Sequence, residues 1–186
     1  VDSPTAKGYY LSDGWINLAL LKFKSDEPAM TEGAPRHTGI HHFGVKVENM
    51  DEAWAQIGTI CKRFTDADKY LFSVPMWNFG IPYVLKHYID VITQPGYSWS
   101  FDPASGYTGL VTGKVAAIYA SGGAYHDGSG AEAFDQQKPY FEGWLGFVGL
   151  TDVSRVTVAP MLGAPEDVTA SVNSALDEAK KLGASF

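Results

Sequence analysis

Few residues of this 186-residue chain are spaced to do chemistry, and no acid–base pair stands out among them. The stretch VPMWNFGIP, residues 74–82, sets Met76, Trp77, Asn78 and Phe79 between Pro75 and Pro82, directly after an apolar run. Prolines on both sides stop a strand from continuing and restrict the backbone, so the stretch reads as a shaped loop. A second stretch, ASGGAYHDG at 120–128, puts Ala120, Ser121, Gly122 and Gly123 after another apolar run. Backbone N–H groups of a shaped loop can meet the edge acceptors of a flat heteroaromatic ring, with Trp77 and Phe79 as apolar walls. Gly122 and Gly123 would let the main chain come close to such a ligand. The alternative is that both loops merely turn the chain; the residues favour a ligand. Cys61 has no base partner in view and reads as a packed thiol. His37, His41 and His42 offer imidazoles without carboxylates, a poor metal site, so no metal is expected.

These loops need elements to hold them. Residues 9–47 look like antiparallel β structure: YYL and WINLALLKFK joined by the turn SDG at 12–14, a loop from Ser25 to Thr38, and a third strand, IHHFGVKV, at 40–47. From residue 49 the period changes. NMDEAWAQIGTICKRF spaces Met50, Ala53, Trp54, Ile57, Ile60 and Cys61 along one helical face behind Asn49. Three short apolar runs follow, at 69–74, 114–120 and 154–159, and their continuous character suits parallel strands covered on both faces. Between them, a helix after Pro82 places Val84, Leu85, Tyr88, Ile89 and Ile92 at core spacing, and another opens at Pro139. The last helix runs from Pro165 to Gly183 with acid first and base last, and is expected to bury Val168, Val172, Leu176 and Ala179. This alternating order predicts an α/β fold with an open parallel sheet, helices on both faces and right-handed crossovers. In such sheets ligands sit beyond the carboxyl ends of the strands, where both loops fall.

Composition narrows the classes. Apolar residues make up 45% and aromatics 13%, as in a globular core. The formal charge is -7 with scattered basic residues, which argues against a nucleic-acid or anionic-membrane partner. No apolar run approaches the roughly 20 residues of a membrane helix, and no basic-then-apolar leader is seen. One cysteine allows no internal disulfide. A cytoplasmic protein is the expectation.

The segments DADKYLFSVPMWNFGIPYVLKHYID, GLVTGKVA, ASGGAYHDG and WLGFVGLTDV, in that order between about Asp66 and Gly183, carry a resemblance. They resemble the carboxyl-terminal two-thirds of an FMN-dependent NADH-azoreductase, of the flavodoxin-like NAD(P)H dehydrogenase (quinone) family. The resemblance implies that Met76, Trp77, Asn78 and Phe79 surround the isoalloxazine ring of FMN, and that Ala120, Ser121, Gly122 and Gly123 form the second flavin loop. Where the family often has an arginine, this chain has Ser121. It also implies NADH as electron donor, a small aromatic or quinone-like substrate, and a homodimer; an exposed cluster of Trp99, Phe101, Tyr107 and Tyr125 would suit that interface. The cofactor carries the chemistry in such enzymes, so no catalytic side chain is required.

The first third of that family, with its serine-rich phosphate loop, has no counterpart before the strand at 69–74. Residues 8–55 instead resemble part of a vicinal-oxygen-chelate (glyoxalase/dioxygenase) protein, through GYYLSDGWINLALLKFK and GIHHFGVKVENMDEA. His42 matches a metal-binding histidine of that family, but Asn17 stands where a glutamate ligand is usual. The implied organisation is a glyoxalase-like β segment at 1–50 joined to a truncated flavodoxin-like domain at 51–186, in one compact unit. The strand at 41–47 is expected to lie parallel beside 69–74, with 15–24 antiparallel outside it, so that the imported strands complete the sheet edge. The loop ENMDE would then stand where phosphate should bind, and its carboxylates would repel a dianion. The functional expectation is a flavin-dependent NAD(P)H oxidoreductase with weakened FMN binding. The alternatives are a non-catalytic chimeric protein that binds a flat aromatic ligand or acts as an interaction module, and, more remotely, a metal-dependent dioxygenase or lyase.

Overall fold

The computed structural model describes residues 6–12, 16–23, 44–45 and 48–186. By contact density the chain divides into two units, 1–53 and 54–186.

In the first unit, β1 (Ala6–Ser12) and β2 (Ile16–Phe23) pair antiparallel over seven residue pairs, from Ala6↔Phe23 to Ser12↔Asn17. β3 (Gly44–Val45) pairs antiparallel with the start of β2 through Ile16↔Val45 and Asn17↔Gly44. The antiparallel pairing of the second and third strands was expected. The sheet order was not: among the described residues the first unit has its own sheet, β1-β2-β3, and β3 does not extend the parallel sheet. Among the described residues β3 pairs at two positions, both with β2. Residues 13 and 14 of the turn expected at 12–14, and the three histidines at 37, 41 and 42, lie outside the described residues. The unit ends in the first turn of α1 (Met50–Thr65), where Asn49 Oδ1 accepts the N–H groups of Asp51 and Glu52 at 3.0 and 3.2 Å. This is an ordinary N-cap.

The second unit holds a parallel sheet of order β4-β7-β8, from β4 (Lys69–Pro75), β7 (Lys114–Ala120) and β8 (Asp152–Val158). The register runs Tyr70↔Val115↔Val153 to Pro75↔Ala120↔Val158, so the three strands end level at their carboxyl side. One face of the sheet makes the core. Tyr70 and Val74 of β4 and Val115, Ala117 and Tyr119 of β7 pack against Ile89 and Ile92 of α2 (Tyr83–Ile92) and Phe141, Leu145 and Val148 of α3 (Gln137–Val148). Each fully buried side chain of this size contributes about 1.5–3 kcal/mol. Two polar groups in this core are paired: the Tyr70 hydroxyl donates to Phe64 O at 2.8 Å, closing the end of α1, and Trp144 Nε1 donates to Thr93 Oγ1 at 2.9 Å.

The other face is covered unevenly. Ala116 and Val156 are buried on it, and α4 (Pro165–Gly183) lies along β8. Leu71, on the same face of β4, is 70% exposed. The expectation that all three strands are covered on both faces therefore fails at β4, an edge strand of the described sheet whose burial alternates residue by residue. The expected helix faces also shift. α4 buries Ala175 and leaves Leu176 exposed, while α2 exposes Val84 and Tyr88. Neighbouring helix positions differ by about 100°, so one residue decides whether a side chain meets the sheet. α3 begins two residues before Pro139, because Asp135 Oδ1 caps it by accepting the N–H groups of Gln137 and Lys138, both at 3.1 Å.

One element was not foreseen. β5 (Trp99–Asp102) and β6 (Gly106–Gly109) form a hairpin, closed by Asp102 Oδ1 accepting the Ala104 and Ser105 amides at 2.9 and 3.0 Å. Gly106 takes φ 79° there. The alternation of Trp99 and Phe101 with polar residues was the available signal.

Candidate functional site

The carboxyl ends of β4 and β7 launch the two loops side by side. Past the last ladder pair, Met76 N–H donates to Ala120 O at 2.7 Å, so the first residue of one loop is tied to the first of the other. The first loop then doubles back. Trp77 and Gly80 exchange both backbone hydrogen bonds, at 2.9 and 3.0 Å, around Asn78 and Phe79. These two central residues have φ 49° and 70°, the signs of a type I′ turn. Asparagine tolerates that region; a phenylalanine there is strained by about 1–2 kcal/mol. Such strain survives only when the surroundings hold it. Here α3 does so, because Gln136 N–H donates to Phe79 O at 2.9 Å. Gln137, fully buried, donates from Nε2 to Val74 O at 2.8 Å. The Phe79 ring rests on Phe134 (centroids 5.2 Å apart) and edge-on to Tyr125 (6.4 Å).

The turn uses none of the N–H groups of Asn78 and Phe79. Among the described residues neither has an acceptor, and Asn78 is exposed. The second loop is more self-contained. Ser121 is buried, its hydroxyl donates to Gly123 O at 2.8 Å, and its N–H goes to Val158 O. Gly122 O accepts from Met161 and Leu162 N–H groups. The amides of Gly122 and Gly123 have no acceptor among the described residues. A Cβ on Gly122 would stand 2.8 Å from Leu162 Cδ1, and one on Gly123 would stand 3.2 Å from the Tyr125 ring. Both glycines thus make room for the chain's own side chains as well as for any visitor.

All eight residues singled out from the sequence lie in two touching loops. Trp77 and Phe79 do not share a wall, however. Phe79 leans towards the second loop, whereas Trp77 lines a groove of about 500 Å³ with Ile81, Tyr83, Lys86 and Tyr140. Tyr125 belongs with Phe79 and not with the hairpin aromatics. Sequence reasoning missed Gln136, Gln137 and Lys86, whose roles appear only once α2 and α3 are set against the turn. Cys61 is buried with its thiol towards Val91 O at 3.5 Å, and burial pushes its pKa up, as an inert packed thiol requires.

A three-stranded parallel order with a donor-bearing turn beyond its carboxyl edge is accompanied by a family match: the model described as flavodoxin-like fold matches residues 24–182. The chain belongs to the flavodoxin-like fold family. The match begins inside the segment expected to be glyoxalase-like, a likeness that the matches found do not show. An FMN-dependent NADH:quinone oxidoreductase of Desulfotalea psychrophila is 47% identical over 123 residues, 66% of this chain and 58% of the relative. FMN-dependent NADH:quinone oxidoreductase 9 of Burkholderia lata is 41% identical over 179 residues, 94% of this chain and 80% of the relative. Among solved structures, an azoreductase from Bacillus anthracis superposes with a TM-score of 0.68 at 31% identity, covering 73% of this chain and 65% of its own. This flavodoxin-like chain spans 58% of the length of the Desulfotalea relative and 66% of one from Nitratidesulfovibrio vulgaris.

The residues present fit the ring end of an FMN group: the amides of Asn78, Phe79, Gly122 and Gly123, in two loops tied together at Met76 and Ala120, have no acceptor among the described residues, and aromatic surface lies beside them. In the first unit, the carboxylates of Asp51 and Glu52 were expected to satisfy the start of α1; Asn49 Oδ1 accepts its first N–H groups instead.

Proposed function

We propose that this flavodoxin-like protein is a flavin-dependent NAD(P)H oxidoreductase that reduces small aromatic or quinone-like acceptors. The observation that carries the reading is the Asn78–Phe79 turn, which keeps two main-chain donors unpaired at the carboxyl edge of the sheet despite the strain of doing so. FMN, when bound, would supply the redox chemistry by taking a hydride equivalent from NADH and passing two electrons to the acceptor. The protein's share is position. The amides of Asn78 and Phe79 would hold acceptor atoms at the ring's edge, those of Gly122 and Gly123 would bound it from the second loop, and the Met76–Ala120 hydrogen bond ties the two loops together. Hydrogen bonds from fixed donors cost no reorganisation, so they favour the electron-rich reduced ring over the oxidised one. Names of the relatives, NADH:quinone oxidoreductase and azoreductase, support the donor and acceptor classes.

FMN binding is expected to be weak in this reading, because no serine-rich stretch stands before β4 in the sequence. The test is a fluorescence titration with FMN and with riboflavin, which lacks the phosphate, followed by NADH turnover with a quinone. Dissociation constants within about threefold of each other support the reading, together with NADH-driven quinone reduction. A hundredfold preference for FMN would show that the phosphate has a berth, and absence of any flavin binding would end the proposal.

The protein works as a homodimer. The rings of Trp99, Phe101, Tyr107 and Phe147 form one connected cluster with centroids 4.9–5.8 Å apart, and Phe101 and Tyr107 are 56% and 65% exposed. An exposed aromatic patch of this kind suits a second copy. Sedimentation of the wild-type chain at twice the monomer mass, and of Phe101→Lys at the monomer mass, is the expected result.

A further inference from the structure

The groove beside the turn has a charge that the flavin reading does not use. Trp77 and Tyr83, 51% and 75% exposed, stand with centroids 6.3 Å apart and planes tilted by 46°, and Tyr140 adds a third ring. Of the residues lining the groove, Lys86 alone is charged, and no carboxylate lines it. The first turn of α2 brings no acid either. Lys86 lies one turn into that helix and is paired with Asp90, four residues on, at 2.5 and 2.7 Å. Both partners are about half exposed, so this pair is a weak surface interaction. An ammonium has three donors, and one carboxylate does not exhaust them.

We propose that the groove binds a flat aromatic acceptor carrying an anionic substituent, its rings against Trp77, Tyr83 and Tyr140 and its anion on Lys86, with Asp90 limiting the strength of that contact. The proposal rests on the oxidoreductase reading for calling the ligand an acceptor, but not for the binding itself. Aromatic faces alone would take neutral and charged rings alike. The ammonium makes the difference, and it is held charged: hydrogen bonding to Asp90 raises its pKa. Lys86 lines the groove and Asp90 does not, so the groove offers an incoming anion the ammonium without its carboxylate partner.

The test uses the full chain, without flavin, and two probes of nearly equal shape: anthraquinone-2-sulfonate and the neutral 2-(hydroxymethyl)anthraquinone. Affinities are read by calorimetry or tryptophan quenching. Lys86→Met should weaken the sulfonate about fivefold and change the neutral probe less than twofold. Asp90→Asn should tighten the sulfonate about two- to fivefold, because the competing carboxylate is gone. Both residues are exposed, and circular dichroism of each variant confirms the fold. Equal effects on both probes, no gain in Asp90→Asn, or no binding of either probe because a second copy covers the groove would overturn the proposal. Riboflavin titration of the same samples separates the two ideas. Flavin binding without sulfonate selectivity removes only the groove; selectivity without flavin binding removes the oxidoreductase reading.

Discussion

At the scale of single residues, the account turns on backbone conformation. Asn78 at φ 49° should accept glycine freely and refuse a β-branched side chain. Asn78→Gly is expected to change stability by less than about 0.5 kcal/mol, and Asn78→Val to cost about 1–2 kcal/mol in urea denaturation. Gln137 makes a different kind of contribution. Its side chain is the hydrogen-bond donor to Val74 O inside the core, and its own Oε1 is buried without a partner among the described residues. Gln137→Ala should cost about 2 kcal/mol, from a cavity and an unpaired carbonyl, with the missing Oε1 offsetting part of the loss. Because Val74 leads directly into the turn, the same variant should also weaken riboflavin binding. The residues of the two loops were legible in the sequence because prolines and glycines punctuate them. Gln137 was not, since nothing local distinguishes one glutamine of QQKPY from the other. Its importance is the distance to Val74, 63 residues away.

At the scale of elements, α3 links the turn, the sheet and β8. Glu142 on α3 accepts Arg155 of β8 through both of its carboxylate oxygens at 2.6 Å, and the Tyr119 hydroxyl lies 3.2 Å from Oε1. Arg155 beside it holds the Glu142 carboxyl below the usual glutamate range, and burial next to that charge drives the Tyr119 pKa far up. A carboxyl with a depressed folded-state pKa adds stability above its unfolded value and loses it as the pH falls through the folded value. Stability should therefore decline below about pH 4.5 with a contribution from this pair. Glu142→Gln should flatten that part of the profile and lower stability at pH 7 by about 1 kcal/mol, given the half-exposed arginine. Strand positions were readable for β4, β7 and β8 from their short continuous apolar runs, and α4 from its spaced apolar residues and charged ends. The helix faces were less readable: Leu176 and Val84 have the right type for a core, but their angle around the helix points them away from it. The β5–β6 hairpin was missed because its aromatics alternate over only four residues a strand.

At the scale of the whole molecule, the sequence pointed to the parallel sheet, to its family and to the antiparallel pairing of β1, β2 and β3, but not to the separate sheet that these three form among the described residues. A strand's partner depends on which edges remain free, which local pattern does not record. β3 took the free side of β2. In the parallel sheet, Leu71 is an apolar residue 70% exposed on a face of β4. Leu71→Lys should leave unfolding free energy within about 0.5 kcal/mol of wild type and reduce aggregation on heating, measured by light scattering. A fall of several kcal/mol would mean that Leu71 is covered in solution. The larger consequence concerns function: in the proposed reading, binding of the flavin ring and binding of its phosphate are separate contributions, and the two can be measured apart.

The most direct measurement is an amide-resolved NMR titration of the labelled protein with riboflavin. The account predicts that the backbone N–H signals of Asn78 and Phe79 move first and furthest, followed by those of Gly122 and Gly123, with little change at Asp51 and Glu52. Riboflavin binding that leaves the Asn78 and Phe79 amides unmoved would contradict it.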